Sequence, residues 1–180
     1  RRSGAGGTGW KRKPVSESTG PEQAGRRQVG RVHGACRLLA RCLTQDLHLF
    51  RTRLMVGLMN LLPDFEVVSK FVRPLLLRGA VAQVGFPATI HSPLYLYDAS
   101  ALTVGRYAFL NVGCRIEGRR AVTIGEGALI GPFCCIENVN HRLEGSEELP
   151  VTVGPRAWVG ARCVLLPGAE VGEGAVVGAG

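Results

Sequence analysis

The residues with the clearest chemical potential lie where a regular sequence pattern breaks off. The stretch CCIENVNHRLEGS, residues 134–146, interrupts that pattern at His141, and the pattern resumes only after the insertion 142–152. An imidazole titrates near neutral pH, so it can take the proton of an alcohol during nucleophilic attack. A lone histidine at the start of a loop is usually an ordinary surface residue. The residues around His141 therefore decide whether it has this role.

Two asparagines also depart from the pattern. Asn140 stands where the repeat has alanine or cysteine, and Asn111 stands where it most often has glycine. On a strict scaffold, polar exceptions near a projecting loop are typical of functional sites. We therefore interpret His141, Asn111 and Asn140 as candidate site residues.

An aliphatic residue recurs at every sixth position on both sides of the break. The next residue is glycine in most of these hexads, and alanine or cysteine usually stands four residues after the aliphatic one. Such hexads are typical of short strands joined by tight corners, and three of them make one coil of a solenoid. The aliphatic positions are Val104, Leu110, Ile116, Ile124, Ile130, Ile136, Val153, Val159, Leu165, Val171 and Val177.

The repeat predicts a mainly β fold, a left-handed parallel β-helix over residues 86–180, which is an exception to the usual right-handed crossover. The corners need small inward side chains, and Cys114, Cys134 and Cys163 are expected to fill such slots. They also need unusual backbone angles, which we expect the glycine after each aliphatic residue to supply. Residues 86–103 are expected to form an irregular first coil.

Residues 35–80 are predicted to form a helical preface. Leucine and phenylalanine recur from Leu39 to Leu61 in steps of three and four, and Pro63 ends the run. Asp64 is the expected N-cap of a second helix. We expect the apolar face to pack on the domain or on a neighbouring subunit. Peripheral membrane contact is the alternative, because arginine and lysine are interleaved with the apolar residues.

Positive charge is concentrated in the first part of the chain. Residues 1–53 hold 12 Lys and Arg against 3 Asp and Glu, whereas residues 54–180 hold 10 against 11. Residues 1–34 are predicted to be a disordered basic arm rich in Gly and Arg, since they show no apolar periodicity. The arm has one aromatic residue, Trp10, and lacks the interleaved aromatic residues of a single-strand binder. Nucleic acid is therefore not a predicted partner.

The compartment follows from what the sequence contains. The chain has no run of about 20 apolar residues, so a membrane span is not expected. Cysteines that serve as small core residues do not form a disulfide framework, which favours a reducing cytoplasm. The predicted location is the cytoplasm, with membrane-peripheral attachment as the alternative.

The runs TVGRYAFLNVGCRIEGRRAVTIGEGALIGPFCCIENVNH and VTVGPRAWVGARCVLLPGAEVGEGAVVGAG resemble the hexapeptide-repeat O-acetyltransferases. The likeness covers residues 90–180 and is greatest to maltose and galactoside acetyltransferases and to exopolysaccharide-modifying enzymes of the colanic-acid type. It implies transfer of an acetyl group from acetyl-CoA to a hydroxyl of a sugar or polysaccharide precursor, without a metal. It also implies a homotrimer with active sites between neighbouring β-helices. Relatives continue beyond the closing GAVVGAG, so we expect a C-terminally truncated column.

The resemblance also implies roles for individual residues. His141 matches the general base, and Asn111 matches an acceptor-binding asparagine. Asn140, which precedes His141, is also predicted to bind the acceptor. Ala161 matches the residue whose backbone N–H stabilises the oxyanion. The second asparagine of the family's N-x-N segment is Gly113 here, which leaves the acceptor open. The implied cofactor-binding residues are Trp158, Gly160, Ala161, Gly178, Ala179 and Gly180.

The sequence leaves three other interpretations to compare with this one. A γ-class carbonic anhydrase needs three histidines on zinc, and the repeat region has only His91 and His141. A non-catalytic β-helix scaffold subunit would leave His141 with its loop, Asn111 and Trp158 unexplained. A xenobiotic O-acetyltransferase, which modifies antibiotic hydroxyls, would keep the chemistry and change the acceptor. The short acidic loop and the helical preface favour a saccharide acceptor.

Overall fold

The computed structural model describes residues 21–142 and 145–180, with the backbone alone for residues 21–35, 48, 141 and 142. The chain divides into two compact units, residues 1–43 and 44–180. The first 20 residues of the predicted arm lie outside the described residues. Helix α1 (Pro21–Leu61) begins earlier than the predicted boundary at residue 35.

Short parallel strands in the described part of the larger unit build three sheets, one on each side of a prism. Sheet A contains β1 (Gln83–Val84), β4 (Leu102–Val104), β7 (Val122–Ile124), β12 (Val151–Val153) and β15 (Glu170–Val171). Sheet B contains β2 (Thr89–Ile90), β5 (Phe109–Leu110), β8 (Leu129–Ile130), β13 (Trp158–Val159) and β16 (Val176–Val177). Sheet C contains β3 (Tyr95–Leu96), β6 (Arg115–Ile116), β9 (Cys135–Ile136) and β14 (Val164–Leu165). The predicted left-handed parallel β-helix is confirmed.

The strand register places the aliphatic residues of the hexads above one another. Leu110 lies opposite Ile90 in one neighbouring coil and Ile130 in the other. All three side chains are buried, as are their counterparts in the other sheets. Residues 86–103, which were expected to be irregular, contribute β2 and β3 in register with the next coil. The core is therefore a continuous aliphatic column.

The glycine after each aliphatic residue serves a different purpose from the predicted one. A Cβ on Gly105, Gly125 or Gly160 would lie 2.5–2.6 Å from a backbone nitrogen of the next coil, too close for non-bonded atoms. Positive φ instead occurs two residues later, for example at Tyr107 (59°) and Arg156 (54°). The close stacking of coils therefore excludes a side chain at the first corner position, and the third position carries the left-handed conformation.

The inward cysteine slots are confirmed. Cys114, Cys134 and Cys163 are buried, and each thiol donates a hydrogen bond to a glycine carbonyl of the next coil. The acceptors for the first two are Gly131 at 3.3 Å and Gly160 at 3.0 Å. The slot therefore suits a thiol because a carbonyl oxygen lies within reach.

Helix α1 carries the predicted apolar run, but within the larger unit that face, from Leu47 to Leu61, is exposed. Leu49, Val56 and Met59 on another face of the helix are buried in the larger unit. Among the described residues, no helix is both long and apolar enough to cross a bilayer. The exposed residues of the predicted stripe are Leu39, Leu43, Leu47, Phe50, Leu54, Leu58 and Leu61.

Asp64 does not cap a helix as predicted. A π-helical turn (Val68–Val72) and helix α2 (Arg73–Leu77) follow it, and the Asp64 carboxylate instead binds Arg73 and His91. The Arg73 side chain is fully buried, and its guanidinium also donates to the carbonyls of Met59, Leu62 and Ile90 at 2.8–3.4 Å. Arg73 thereby joins the end of α1 to the first coil.

Candidate functional site

The outer face of sheet B carries a cavity of about 480 Å³. Its lining includes three residues that the sequence assigned to a site, Asn111, Trp158 and Ala161. These residues follow or belong to β5 and β13, which are separated by one coil of the β-helix. The remaining lining residues are Phe109, Leu129, Ile130, Gly131 and Pro132.

Asn111 borders this cavity and carries a side chain where the next two corners after sheet B have glycine, Gly131 and Gly160. In the next coil the equivalent residue is Gly131, where a Cβ would lie 2.7 Å from the nitrogen of Ala161. The Asn111 side-chain oxygen accepts a hydrogen bond from the backbone N–H of Val112 at 2.8 Å. That bond engages the side-chain oxygen, and the amide also carries an Nδ2 donor group.

The floor of the cavity is an apolar column on the outer face of sheet B. Trp158 is 52% exposed and lies in register between Leu129 and Val176, while Phe109 follows on the other side of Leu129. Outward positions of an exposed sheet are usually polar, so this column indicates a binding surface for an apolar or extended ligand. Sequence reasoning found Trp158 and missed Phe109 and Leu129, although all three share the position before the inward aliphatic residue.

Close backbone packing fixes the corner that contains Ala161. A Cβ on Gly160 would lie 2.6 Å from the nitrogen of Ala179, and the carbonyl of Ala161 accepts a hydrogen bond from Gly180 at 2.9 Å. Within the described part of the chain, no backbone hydrogen bond uses the Ala161 N–H. Gly178 and Gly180 are exposed at the last corner. The structure therefore places five of the six predicted cofactor-binding residues at two stacked corners, and Trp158 in strand β13 before the first of these corners.

His141 lies on a hairpin that leaves the β-helix after sheet C. The hairpin consists of antiparallel strands β10 (Val139–Arg142) and β11 (Gly145–Glu148), with His141 opposite Ser146. The side chain of His141 lies outside the described residues. Asn140 is exposed and lies opposite Glu147, so it does not occupy the inward slot that the repeat predicted. Asn111 comes directly after β5 of sheet B, and His141 comes after β9 of sheet C. The two residues therefore belong to different corners of the prism.

Asn138, just before the hairpin, is the residue whose side chain points into the interior at this corner. The sequence analysis did not predict it. Its side chain is fully buried, its Nδ2 donates to the carbonyl of Arg120 at 2.6 Å, and its Oδ1 has no partner among the described residues. Glu148 at the end of β11 lies 3.5 Å from Nε of Arg120 and 3.8 Å from Nη1 of Arg119. These contacts fasten the base of the hairpin to the preceding corner.

The cysteines near the cavity are not nucleophiles. Burial raises the pKa of Cys114 to about 11 and also raises the pKa of Cys134. A thiol reacts as its thiolate, so both stay protonated and inert at neutral pH. Among the described residues, no group of three His, Cys, Asp or Glu side chains could hold a metal ion.

Comparison with known proteins agrees with this geometry. The family model "Bacterial transferase hexapeptide (six repeats)" matches residues 150–180. Galactoside O-acetyltransferase of Escherichia coli K12 is 32% identical over 115 residues, which is 60% of this chain and 57% of that protein. Nodulation protein L of Rhizobium meliloti is 34% identical over 101 residues, 52% of this chain and 55% of that protein. The chain thus spans little more than half the length of these relatives.

Solved structures show the same fold. A galactoside acetyltransferase in complex with coenzyme A superposes with a TM-score of 0.68 at 27% identity, covering 75% of this chain and 70% of the other. A maltose O-acetyltransferase from Clostridium difficile has a TM-score of 0.66 at 22% identity, covering 75% and 76%. The predicted resemblance to hexapeptide-repeat acetyltransferases is confirmed.

Proposed function

We propose that this chain transfers the acetyl group of acetyl-CoA to a hydroxyl of a sugar or polysaccharide precursor, with His141 as the general base. The observation that carries the proposal is the cavity that joins Asn111, Trp158 and Ala161. These residues lie up to 50 positions apart, and the resemblance had assigned them separately to acceptor, cofactor and oxyanion. The similarity to galactoside O-acetyltransferase supports the same reaction class.

The reaction needs no covalent enzyme intermediate. His141 takes the proton of the acceptor hydroxyl as that oxygen attacks the thioester carbonyl carbon. The charge that develops on the carbonyl oxygen is stabilised by the Ala161 backbone N–H, which is fixed by the stacked corner. The C–S bond then breaks, the sulfur of CoA receives the proton from His141, and the acetyl ester is released.

We infer that the two sides of the cavity bind different groups of the ligands. Trp158, Leu129 and Phe109 form an apolar surface suited to the pantetheine arm of CoA. Asn111 borders the same cavity, and its Nδ2 group can donate to a sugar oxygen. Gly160, Gly178, Ala179 and Gly180 lie at the neighbouring corners, where the lack of bulky side chains lets a ligand approach the backbone.

We infer that His141 acts together with a residue of a second chain. It lies after a strand of sheet C, whereas Asn111 lies after a strand of sheet B, and residues at different corners of one prism can meet where neighbouring β-helices pack together. We propose a homotrimer in which each centre takes Asn111 from one chain and His141 from the next. The reaction would take place in the cytoplasm, where the buried thiols stay reduced.

The experiment measures free-thiol release from acetyl-CoA with a panel of galactosides, maltose and oligosaccharide precursors. The wild-type chain should release CoA only with an acceptor present. The variant His141→Ala should lower kcat/KM by about 10²–10⁴-fold, the contribution of a positioned base. Ser146→Ala is the matched control, because it changes the residue opposite His141 in the same hairpin and leaves the imidazole.

Two results would contradict the proposal. One is a folded assembly that releases no thiol with any acceptor, which would favour a non-catalytic scaffold. The other is acceptor-dependent release that His141→Ala and Ser146→Ala affect equally, since the hairpin would then matter and the imidazole would not.

A further inference from the structure

Within the unit 44–180, α1 presents one apolar stripe to the β-helix and a second one to solvent. Leu47, Phe50, Leu54, Leu58 and Leu61 form the second stripe, hereafter the outer stripe, and they are 43–82% exposed. Their spacing of 3, 4, 4 and 3 residues keeps them on one side of the helix. A stripe of leucine and phenylalanine along four turns is typical of a helix that packs against another helix.

The charges beside the outer stripe are complementary when two such helices run parallel. Leu47, Leu54 and Leu61 are seven residues apart, so they occupy the same position of successive heptads. Asp46 lies on one edge of the stripe, directly before Leu47. Arg51 lies on the opposite edge, five residues after Asp46. Five residues is the spacing at which opposite edges of two parallel helices meet in a coiled coil. Asp46, whose carboxylate lies 3.7 Å from Nη1 of Arg53 in its own chain, would therefore also reach Arg51 of another copy.

The stripe is interrupted by a gap that a partner side chain would fill. A Cβ on Gly57 would meet nothing within 4 Å. Gly57, together with Val56, Asn60 and Tyr95, lines a cavity of about 260 Å³ between α1 and the first coil. A large apolar residue projecting from a second helix would enter this space. The helix thus carries both protruding residues and a recess to receive them.

We propose that the outer stripe of α1 binds the outer stripe of a second copy of this chain, with the two helices parallel. An anionic lipid surface is the less suitable occupant, because the Asp46 side chain at the edge of the stripe is 66% exposed and pairs with Arg53, the neighbouring basic residue on that edge. The recess at Gly57 also fits a side chain better than it fits a bilayer surface. This inference concerns assembly and does not depend on the proposed reaction.

The test is sedimentation velocity of the full chain and its variants, over a range of protein concentrations. Leu54→Glu places a charge in the stripe and should raise the dissociation constant for self-association about tenfold or more. Asp46→Arg should weaken association because two arginines would then face each other, and Asp46→Arg combined with Arg51→Asp should restore it. Leu75→Glu is the matched control, an exposed leucine of α2 that is outside the stripe.

Asp46→Arg and Arg51→Asp change surface residues and leave the core unaltered. A loss of association in these variants can therefore be distinguished from a loss of folding. Circular dichroism confirms that each variant is folded. A monomeric wild-type chain would overturn the proposal, as would an assembly unchanged by both Leu54→Glu and Asp46→Arg. Cosedimentation with phosphatidylcholine–phosphatidylglycerol vesicles identifies the rival occupant. Vesicle binding that Leu54→Glu abolishes, with the assembly unchanged, would assign the stripe to lipid instead.

Discussion

At the residue scale, Asn111 shows how one side chain changes what a corner of the β-helix can do. Gly131 in the next coil excludes a side chain because the following coil stacks so closely on it. The Asn111 N–H···O bond to Ile130 is 3.1 Å, compared with 2.8 Å for Gly131 to Val159. The corner at Asn111 therefore carries an amide at the edge of the cavity where the next coil has no side chain, and such exceptions to a repeat are typical of functional sites.

The close stacking of coils gives a direct prediction about stability. Gly125→Ala would place a Cβ 2.5 Å from the nitrogen of Pro155, so a coil must shift. We expect the free energy of unfolding to fall by about 1–3 kcal/mol, the usual cost of overpacking. Urea denaturation measures it. Gly172→Ala is the control, since a Cβ there meets nothing within 4 Å. Equal effects of the two substitutions would contradict the close-approach explanation.

Asp64 gives a prediction about acid stability. Burial alone would raise the pKa of this carboxyl, but hydrogen bonds from His91 and Arg73 outweigh it and hold the pKa below the ordinary value of 3.8. A lowered pKa stabilises the fold above 3.8, and the contribution is lost as pH falls through the folded-state pKa. The difference in Tm between wild type and Asp64→Asn should therefore be constant near neutral pH and close below 3.8. A difference that widens in acid would show that the interaction has the opposite sign.

The thiols should differ sharply in reactivity. Burial raises the pKa of Cys114 to about 11, whereas Cys36 and Cys42 are exposed. In the native protein at about pH 8, iodoacetamide should modify the two exposed thiols and leave Cys114 unmodified. Peptide mass spectrometry identifies the modified residues, and labelling in urea provides the reference for full access. Rapid native labelling of Cys114 would mean that the coil opens.

At the element scale, the hairpin β10–β11, which carries the proposed base, is held to the β-helix by a few side chains at its ends. Asn138 binds the Arg120 carbonyl from a fully buried position, and Glu148 holds the other strand. Asn138→Ala should leave that carbonyl unpaired, cost about 1–3 kcal/mol and speed proteolysis within the hairpin. Limited proteolysis with time-resolved mass spectrometry measures the rate. Ser146→Ala is the control, and unchanged cleavage in Asn138→Ala would remove the anchoring role.

Helix α1 shows which part of an element its sequence can predict. The spacing of leucines correctly indicates a helix ending before Pro63. It does not indicate which face packs on the β-helix, because the buried face also carries apolar residues, Leu49, Val56 and Met59. A helix with two apolar faces is ambiguous from periodicity alone, since periodicity reports the wider stripe and not its partner.

At the scale of the whole molecule, the repeat made the β-helix predictable because one rule is applied in every coil. Each hexad buries one aliphatic residue, and the aliphatic residues of equivalent hexads in neighbouring coils lie opposite each other, which sets the strand register. The positions at which the chain departs from the repeat were less predictable. Asn138 enters the corner instead of Asn140 because the chain leaves the coil after β9, where the repeat no longer determines which residue points inward.

The cavity was predictable only in part for a similar reason. Resemblance identified Asn111, Trp158 and Ala161, but the apolar column that joins them depends on outward positions. The repeat leaves these positions unrestricted, and Phe109 and Leu129 are two of them. We propose that Asn111 and His141 come together only in the assembly, so their arrangement cannot be predicted from one chain. In this proposal, one reaction centre takes the two residues from neighbouring chains.

Complementation between two inactive variants tests that claim most directly. Asn111→Ala and His141→Ala are unfolded together, mixed in equal amounts and refolded, and acceptor-dependent thiol release is compared with that of the wild type treated identically. In a cyclic trimer with shared centres, about one quarter of the centres would combine an intact Asn111 with an intact His141 from the next chain. Recovery of about that fraction of wild-type activity is the predicted result. Mixed assemblies that form but stay as inactive as either parent would show that the two residues do not act together across an interface.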